Sequence, residues 1–582
     1  MNPSRRLVCA LAVLMVAAGA CETGVTTGPK LAADQVLRVM LEDQPASLDP
    51  GQTQYTYEAA VLRAVAEPLV RPKADLSGVV PAAAQTYEAS STGTAYVFHL
   101  RTNAKYWDGV PVKAQDFVYA WQRLVDPRLA APDETLFADA ILNGERVALM
   151  DPQRDKASID PALATLGLKA VDDFTFQVQL AHPDPAFLWL AALPASAPIR
   201  KDVVTQNGDK WATSPQTLLT NGPFKVTEMV KNDHIRVERN PYYWGGKPPL
   251  TRIDFAIVTD GAAALDKYRK GNLDATMVQL AQATSVAGDG ALSHQLVRTP
   301  NLTVFWIMFR VNSPPLDNPR LRQAIAQAID RNAFVKEILQ GEGEPAATFI
   351  PKGMHGYAPS LTTQKFDIAQ ARASLAASGL SGKQLSLTYS YDQTLESAKA
   401  TAKFVHDQLK ANLGMEINLQ PLDPNTLSSR IGGGQFQITG PRGWTADYPD
   451  QADWYDIFLT SSGSIPFWQN QQYDNFVSVA RTDMQAARRD QEYLQAQSLL
   501  VGEAPVAFLA QTESWYLVQP YVRGIVTSPL ERLFGTIQPW QLDTCASPTT
   551  EFDWPKRLCV SKTCCRRTLA PRAAGKKAAG SI

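Results

Sequence analysis

The chain has 582 residues, of which 45% are hydrophobic and 19% charged, a composition typical of globular proteins with substantial cores. This length exceeds what one ordinary hydrophobic core supports, so we expect two or more packed units. The formal net charge of −1 at pH 7 gives the chain no overall attraction to nucleic acid or to an anionic membrane surface.

The first residues have the pattern of a secretory signal peptide. Two arginines precede the apolar run LVCALAVLMVAAGA, which ends in small residues and is too short for a comfortable membrane span. Two processing routes remain open, because Ala18-x-Ala20 suits ordinary signal peptidase and Cys21 suits lipidation. We favour lipidation at Cys21, because none of the six cysteines lies between Cys21 and Cys545. The body of the chain therefore has no disulfide framework.

Strand-like and helix-like segments then alternate along the chain. Apolar residues recur every second position in the former and at helical spacing in the latter. The predicted strands are Gln35–Leu41, Ala95–Arg101, Phe174–Leu180, Leu385–Tyr391 and MEINLQPL after Gly414. The predicted helices are EAAVLRAVAEPLV up to Pro68, AQDFVYAWQRLV with Phe117, Trp121 and Leu124 on one face, PRLRQAIAQAIDRNAFVKEIL before Gly341, and Thr394–Leu413. The last strand–helix–strand order predicts a right-handed crossover in a sheet covered by helices, which is an α/β architecture.

The stretch GPRGWTADYPDQADW places Asp447 between Trp444 and Tyr448, with Arg442 just upstream. Such a carboxylate is either an ordinary loop charge or a charge placed among aromatic rings to hold a ligand. Together with Asp450 and Asp453 it also offers, in principle, an acid/base pair.

The sequence contains none of the motifs that usually mark an enzyme, such as a phosphate-binding glycine loop, an H-E-x-x-H pair or a G-x-S-x-G elbow. The six histidines are scattered without metal-ligand spacing. The cysteine cluster CVSKTCC lacks the two spaced pairs of a zinc site, and its segment carries eight basic and two acidic residues, a net charge of +6. We therefore expect no metal and no cofactor, a disordered basic tail, and binding rather than catalysis.

Five stretches, in order, resemble the extracellular solute-binding family that serves peptide ABC transporters, in particular its periplasmic oligopeptide-binding members. These stretches are ASLDP with AEPLV, YVFHLRTNAKYWDGVPVKAQDFVYAWQRLVDP, NGPFKV with ERNPYYW, PPLDNPRLRQAIAQAIDR, and GWTADYPD. The resemblance implies an α/β, two-lobed periplasmic binding protein fold of type II-like character, which closes on a hinge and carries an extra inserted domain. The hinge would be formed by two crossing segments, Thr299–Trp306 and Leu509–Trp515.

The resemblance also implies a division of the chain into domains. The implied order is a signal peptide at 1–21, lobe I from 31–70, 196–300 and 511–544, an inserted domain at 71–195, lobe II at 301–510, and a divergent basic tail at 545–582. A strand that normally ends the family's body is replaced by this tail, so a sheet edge of lobe I would be incomplete.

Residue by residue, Asp447 matches the family's ammonium-binding aspartate, with Trp444, Thr445 and Tyr448 beside it. Asp450 and Asp453 are then ordinary loop or helix-start residues. Tyr119 matches a tyrosine that contacts ligand in the family, although its helical spacing equally suits a core aromatic. The family's carboxylate-binding arginine matches Pro441, with Arg442 one position later. A one-residue slip reverses the side-chain face of a strand, so Arg442 takes this role only if a β-bulge restores it. Arg430 aligns loosely with a second family arginine.

We therefore expect a non-enzymatic, monomeric, exported receptor that captures oligopeptides and delivers them to an inner-membrane ABC permease. Its contact with the membrane would be an N-terminal lipid anchor, and nucleic acid would not be a partner. Three alternatives stay open: another ligand on the same fold (a dipeptide, a murein peptide, a metal chelate or a sugar), a secreted hydrolase using Asp447, and a scaffolding lipoprotein.

Overall fold

The computed structural model describes residues 31–463, 467–530 and 541–542 of the chain. The predicted signal peptide, the predicted lipidation site Cys21 and the predicted basic tail from Cys545 lie outside the described residues. Within those ranges, no helix has the length and apolar character needed to cross a membrane.

The described residues form nineteen strands. In chain order they are β1 Val36–Leu41, β2 Val70–Pro72, β3 Val79–Pro81, β4 Ala84–Ala89, β5 Ala95–Leu100, β6 Leu168–Asp172, β7 Thr175–Gln179, β8 Phe224–Val230, β9 His234–Arg239, β10 Arg252–Ile257, β11 Ala275–Val278, β12 Leu296–Phe309, β13 Gly343–Pro345, β14 Ser386–Asp392, β15 Glu416–Leu422, β16 Ile438–Thr445, β17 Val506–Val518, β18 Val522–Arg523 and β19 Gln541–Leu542.

The same residues form seventeen α-helices, besides short 3₁₀ turns. They are α1 Thr56–Val65, α2 Ala114–Val125, α3 Glu134–Ala140, α4 Gly144–Ala148, α5 Lys156–Leu163, α6 Phe187–Leu190, α7 Lys201–Asn207, α8 Gly261–Arg269, α9 Leu280–Gly288, α10 Pro319–Gln327, α11 Arg331–Glu337, α12 Ile368–Ala377, α13 Glu396–Leu413, α14 Pro424–Gly432, α15 Gln451–Tyr455, α16 Gln471–Thr482 and α17 Ala486–Glu503.

The largest sheet runs through both halves of the molecule. Its strand order is β15-β14-β16-β12-β17-β11-β1-β10-β9-β8, and β13 adds to β17. The long strands β12 and β17 are antiparallel and connect the halves, because β16 pairs with one end of β12 and β11 pairs with the far end of β17. The segment between β3 and β8 contributes a separate four-stranded sheet, in the order β4-β5-β7-β6.

Two large hydrophobic cores flank the crossing strands. The first joins buried side chains from Leu37 to Phe255, including those of the four-stranded sheet, with a few from later in the chain. The second draws its buried side chains from the range Leu302–Ala510. A smaller third core lies around α8 and α9. The molecule is therefore mixed α/β with two lobes, and the inserted segment shares its core with the first lobe. The exact domain boundaries stay a prediction.

The pairing of β12 with β17 is irregular where the strands pass from one core to the other. The register shifts between Pro300 and Val304, and again between Phe305 and Trp306. These irregularities fall inside the two segments expected to form the hinge. A bulged pair of strands twists and bends more readily than a regular ladder.

One predicted helix is wrong in its extent. The segment from Pro319 to Leu339 forms α10 and α11 rather than one continuous helix. The helix breaks at Asp330, because the Asp330 carboxylate caps α11 by accepting from the amides of Asn332 and Ala333 at 2.9 and 3.1 Å. The buried Arg331 guanidinium then donates to the carbonyls of Ala326 and Ile329 at the end of α10. Polar side chains thus provide the hydrogen bonds that a continuous helix would have given these backbone groups.

Other predicted elements are confirmed. The helix predicted over AQDFVYAWQRLV is α2, and Phe117, Trp121 and Leu124 are all buried on its inner face. The predicted strand–helix–strand unit is β14, α13 and β15, with the two strands parallel and adjacent. Gly414 ends α13 in the left-handed conformation that glycine adopts without strain.

Candidate functional site

The candidate site lies on the loop that joins β16 to α15. The strand ends at Thr445, and Asp450 caps α15 by accepting from the amide of Ala452 at 2.9 Å. The Asp450 carboxylate also forms an ion pair with Arg489 of α17. Asp447 projects from the short loop between these two fixed points. Of the two alternatives for Asp450, a loop or a helix-start residue, the structure shows the helix start.

A β-bulge precedes Arg442 on β16. Thr439 lies opposite Met308 of β12 and Arg442 lies opposite Trp306, so β16 has one residue more than its partner strand between these pairs. The extra residue falls at Gly440–Pro441, where Gly440 has a φ of +153° that side chains rarely adopt. After the bulge, Arg442 lies on the same face of β16 as Trp444 two positions later. The Arg442 side chain is exposed.

A buried carboxylate, Asp453, holds the loop by hydrogen bonds. Asp453 is 5% exposed and lies in the first turn of α15. Its Oδ2 accepts from the indole Nε1 of Trp444 at 3.1 Å and from the amide of Asp447 at 3.2 Å. Burial and the nearby charge of Asp447 raise the pKa of Asp453 well above its usual range. Asp453 thus positions both the ring and the backbone of the predicted ligand-binding residues.

The Asp447 carboxylate is accessible to solvent but has no neutralising partner. Within the described ranges, no side chain donates a hydrogen bond to it. The surrounding protein removes part of its hydration, which raises the pKa of Asp447 to about 6 although the side chain still contacts water.

A second carboxylate, from the inserted segment, lies close enough to Asp447 to sense its charge. Asp133 is half-buried at the start of α3, and its side chain does not cap its own helix. Desolvation, and then the charge of Asp447, raise the pKa of Asp133 to about 7. Acidic groups from both halves therefore create a negative potential at this point, which favours a bound cation.

Tyr448 connects the loop to the opposite half of the molecule. Although it follows β16, its side chain is 7% exposed and belongs to the first hydrophobic core. Trp444, by contrast, packs against the second core. The loop carrying Asp447 therefore lies where the two cores meet.

The remaining predicted residues lie on other surfaces or make other contacts. Thr445 Oγ1 is 2.9 Å from Thr303 Oγ1 on β12. Tyr119 is half-buried on α2, with Lys201 Nζ 5.9 Å from its ring. Arg430 donates to the Gln420 side chain at 3.0 Å, at the end of α14. Trp444, Thr445, Asp447 and Tyr448 are neighbours in sequence, and these contacts do not link Tyr119 or Arg430 to them.

Sequence reasoning missed two acidic residues of this site. Asp453 was interpreted as an ordinary loop or helix-start residue, and its one available signal was its position in the first turn of α15, which gives no indication of burial. Asp133 carries no local signal, because it reaches the site from a segment more than three hundred positions away. Among the described residues, no group of three or more His, Cys, Asp or Glu side chains is arranged to hold a metal ion.

Comparison with known proteins identifies the relatives of this chain. Residues 78–465 match the family model described as bacterial extracellular solute-binding proteins, family 5. The periplasmic murein peptide-binding protein MppA of Escherichia coli is 32% identical over 509 residues, which cover 86% of this chain and 92% of that protein. The periplasmic oligopeptide-binding protein OppA of Salmonella typhimurium is 29% identical over 535 residues, covering 90% of this chain and 96% of that protein.

The fold has solved counterparts as well. A structure of the periplasmic murein tripeptide-binding protein MppA in its unliganded open form superposes with a TM-score of 0.76 at 29% identity. The match covers 89% of this chain and 99% of that one. The predicted two-lobed binding protein fold is thereby confirmed.

Proposed function

Because the chain belongs to the bacterial extracellular solute-binding proteins of family 5, we propose that it is a receptor that captures oligopeptides and delivers them to an inner-membrane ABC permease. Relatives named as murein peptide-binding and oligopeptide-binding proteins match it over nearly their whole length. A murein peptide is a narrower variant of the same ligand class.

The observation that carries the proposal is the unneutralised Asp447 carboxylate at the junction of the two cores. Peptides of any sequence share a free α-ammonium group, and a carboxylate is its natural partner. Asp453 holds the loop, Asp133 adds negative charge from the other half, and Trp444 and Tyr448 flank the position. The ammonium would gain most when closure excludes water, because a buried ion pair strengthens as the local dielectric falls.

The remaining determinants of the ligand would be its backbone and its carboxylate. Main chain is common to all peptides, so we propose pairing with strand edges in the cleft, as in strand addition. Side chains of the ligand would enter hydrated pockets, where water adapts the hydrogen bonding. Arg442 is our candidate for the peptide carboxylate, since its exposed guanidinium follows the bulge. Tyr119 is a candidate ligand contact, and Arg430 is a candidate contact for longer ligands.

The geometry gives little support to the hydrolase alternative. A pair of catalytic carboxyl groups needs two groups that both reach substrate or water. Asp453 is buried and engaged by Trp444 and the Asp447 backbone, and Asp133 is half-buried, so neither acid is a freely accessible partner for Asp447. We accordingly propose a receptor without catalytic activity.

We further propose that the chain is exported to the periplasm by the segment 1–21, is lipidated at Cys21, and acts as a monomer. Lobe I would comprise 31–70, 196–300 and 511–544, with the inserted domain at 71–195 and lobe II at 301–510. Closure would occur at the irregular pairing of β12 with β17, driven by contacts that exist in the closed form alone.

Isothermal titration calorimetry with tripeptides and tetrapeptides tests this function. Free peptides are expected to bind, and the same peptides with an acetylated amino end are expected to bind far more weakly. Failure of every peptide to bind would contradict the proposal and favour another ligand class on the same fold. Mass spectrometry of the incubated peptides is expected to show them intact, and cleavage would favour the hydrolase.

A further inference from the structure

An ion pair between α3 and α16 connects the two halves of the molecule near the Asp447 loop. Arg481 of α16 donates a charged hydrogen bond to the Asp139 carboxylate of α3, across 342 positions of sequence. Helix α3 packs in the first core and α16 in the second. The contact therefore joins the inserted segment to the second lobe.

Each member of this pair has a second partner in its own half. Arg481 Nε lies 3.3 Å from Asp456 Oδ2, at the end of α15. His182 Nε2 lies 3.3 Å from Asp139 Oδ2, on the inserted segment. Separation of the two halves would therefore leave neither Arg481 nor Asp139 without a polar partner. An ion pair arranged in this way opens without the large cost of an unpaired, partly buried charge.

The surfaces around the pair are in close contact. A Cβ atom added at Gly93 of the inserted segment would lie 2.5 Å from the Met484 sulfur, just beyond α16. Tyr448, one residue from Asp447, packs into the first core at the same boundary. The ion pair thus belongs to an interface between the halves, and it adjoins the proposed ammonium site.

We propose that Asp139 and Arg481 form an ionic latch that holds the inserted segment and the second lobe in the contact seen here, with His182 and Asp456 as the partners that Asp139 and Arg481 keep when the halves separate. The latch itself rests on these contacts, and its effect on peptide affinity rests on the function proposed above. A receptor whose halves stay in contact for a larger fraction of time binds a ligand lying between them more tightly, without any new contact to that ligand.

Small-angle X-ray scattering of the ligand-free protein tests the latch directly. Arg481→Gln and Asp139→Asn are each expected to have a larger radius of gyration than the wild type, and Arg481→Lys a radius close to it. Arg488→Gln is the matched control, because its described ion pair is with Asp483 in its own half. Equal radii in Arg481→Gln, Asp139→Asn and the control would overturn the latch.

Calorimetry with one free peptide supplies the second measurement. The single variants should bind about two- to fivefold more weakly than the wild type, as expected for a partly exposed ion pair. The double variant should bind no more weakly than either single one, because both substitutions remove the same contact. Additive losses would overturn a direct pairing.

If Arg481→Gln fails to fold, Asp139→Asn decides, since Asp139 is 44% exposed at its side chain. If no peptide binds the wild type, the scattering comparison still decides the latch.

Discussion

Two carboxylates of the molecule, Glu67 and Asp447, have pKa values raised by desolvation, yet their surroundings differ. Glu67 is 4% exposed, and it accepts from the Tyr243 hydroxyl at 2.9 Å and from the Trp244 indole. Asp447 is accessible to solvent and, in the part of the chain that the structure describes, accepts from no side chain. The first carboxylate is satisfied by side-chain donors of the fold, whereas the second has no such donor among the described residues.

The charged groups around the two carboxylates also differ. Arg71 lies 3.8 Å from Glu67, and Arg101 stacks on the Trp244 ring that bonds to Glu67. Near Asp447, two acids, Asp133 and Asp453, sense its charge, and Arg481 interacts with the neighbouring Tyr448. Glu67 therefore has cations beside it, whereas the two groups that sense the charge of Asp447 are acids. The comparison predicts that substitutions at Glu67 affect stability and substitutions around Asp447 affect binding.

The largest effect is expected at Glu67. Glu67→Ala removes the buried carboxylate to which the Tyr243 hydroxyl and the Trp244 indole donate, so the free energy of unfolding should fall by about 3–5 kcal/mol. Urea unfolding followed by circular dichroism measures this loss. Glu344→Gln is the control, because Glu344 forms an exposed pair with Lys352 whose removal should cost less than about 1 kcal/mol. Similar losses in both variants would remove the distinction between Glu67 and a surface acid.

Next comes the positioning role of Asp453. Asp453→Ala should weaken the binding of a free peptide by about tenfold, because it frees the Asp447 backbone and the Trp444 ring. Asp453→Asn keeps an oxygen that accepts from both donors, so its affinity should lie between those of Asp453→Ala and the wild type. Calorimetry gives the affinities, and thermal unfolding checks that both variants are folded. Equal losses in the two variants would show that charge, rather than position, matters at Asp453.

A pH dependence follows from the raised pKa of Asp447. The carboxyl group is protonated below about pH 6 and no longer pairs with an ammonium group. The affinity for a free peptide should therefore fall as the pH is lowered from about 8 to about 5. The loss should approach tenfold per pH unit at the acid end of this range. Protonation of Asp133, whose pKa is about 7, acts in the same direction. The N-acetylated peptide is the control, and an equal slope for both peptides would disconnect the titration from the ammonium.

The smallest effect is expected at Arg442. Its exposed guanidinium would contribute about two- to fivefold to the binding of a peptide with a free carboxylate, and nothing to the matching amide. Titration of Arg442→Gln with both peptides measures this difference. Arg320→Gln, at an exposed arginine of α10, is the matched control. If Arg442→Gln weakens the acid and the amide equally, another group holds the peptide carboxylate.

Local sequence patterns were sufficient for much of the fold. The apolar spacing of α2 placed Phe117 and Trp121 in the core, and Gly414 marked the end of α13. The break between α10 and α11 was missed, because the apolar periodicity continues through it and the capping by Asp330 competes with that periodicity.

The site was predicted less completely than the fold. The position of Asp447 followed from the resemblance of its stretch to the family. The burial of Asp453 depends on the packing of α15 against other elements, and the approach of Asp133 depends on how the inserted segment meets the second lobe. The bulge at Gly440–Pro441 is visible only from the register of β16 against β12. Each of these features is set by contacts between distant segments, which local spacing does not encode.

The central claim is that Asp447 receives the amino end of a peptide. Calorimetric titration of the wild type and of Asp447→Asn with one peptide, in its free and N-acetylated forms, tests it most directly. The wild type should bind the free form at least about thirtyfold more tightly, as expected for an ion pair shielded from water, and Asp447→Asn should bind both forms with nearly equal, weak affinity. A wild type that binds both forms equally, or an Asp447→Asn variant that keeps the preference, would contradict the account.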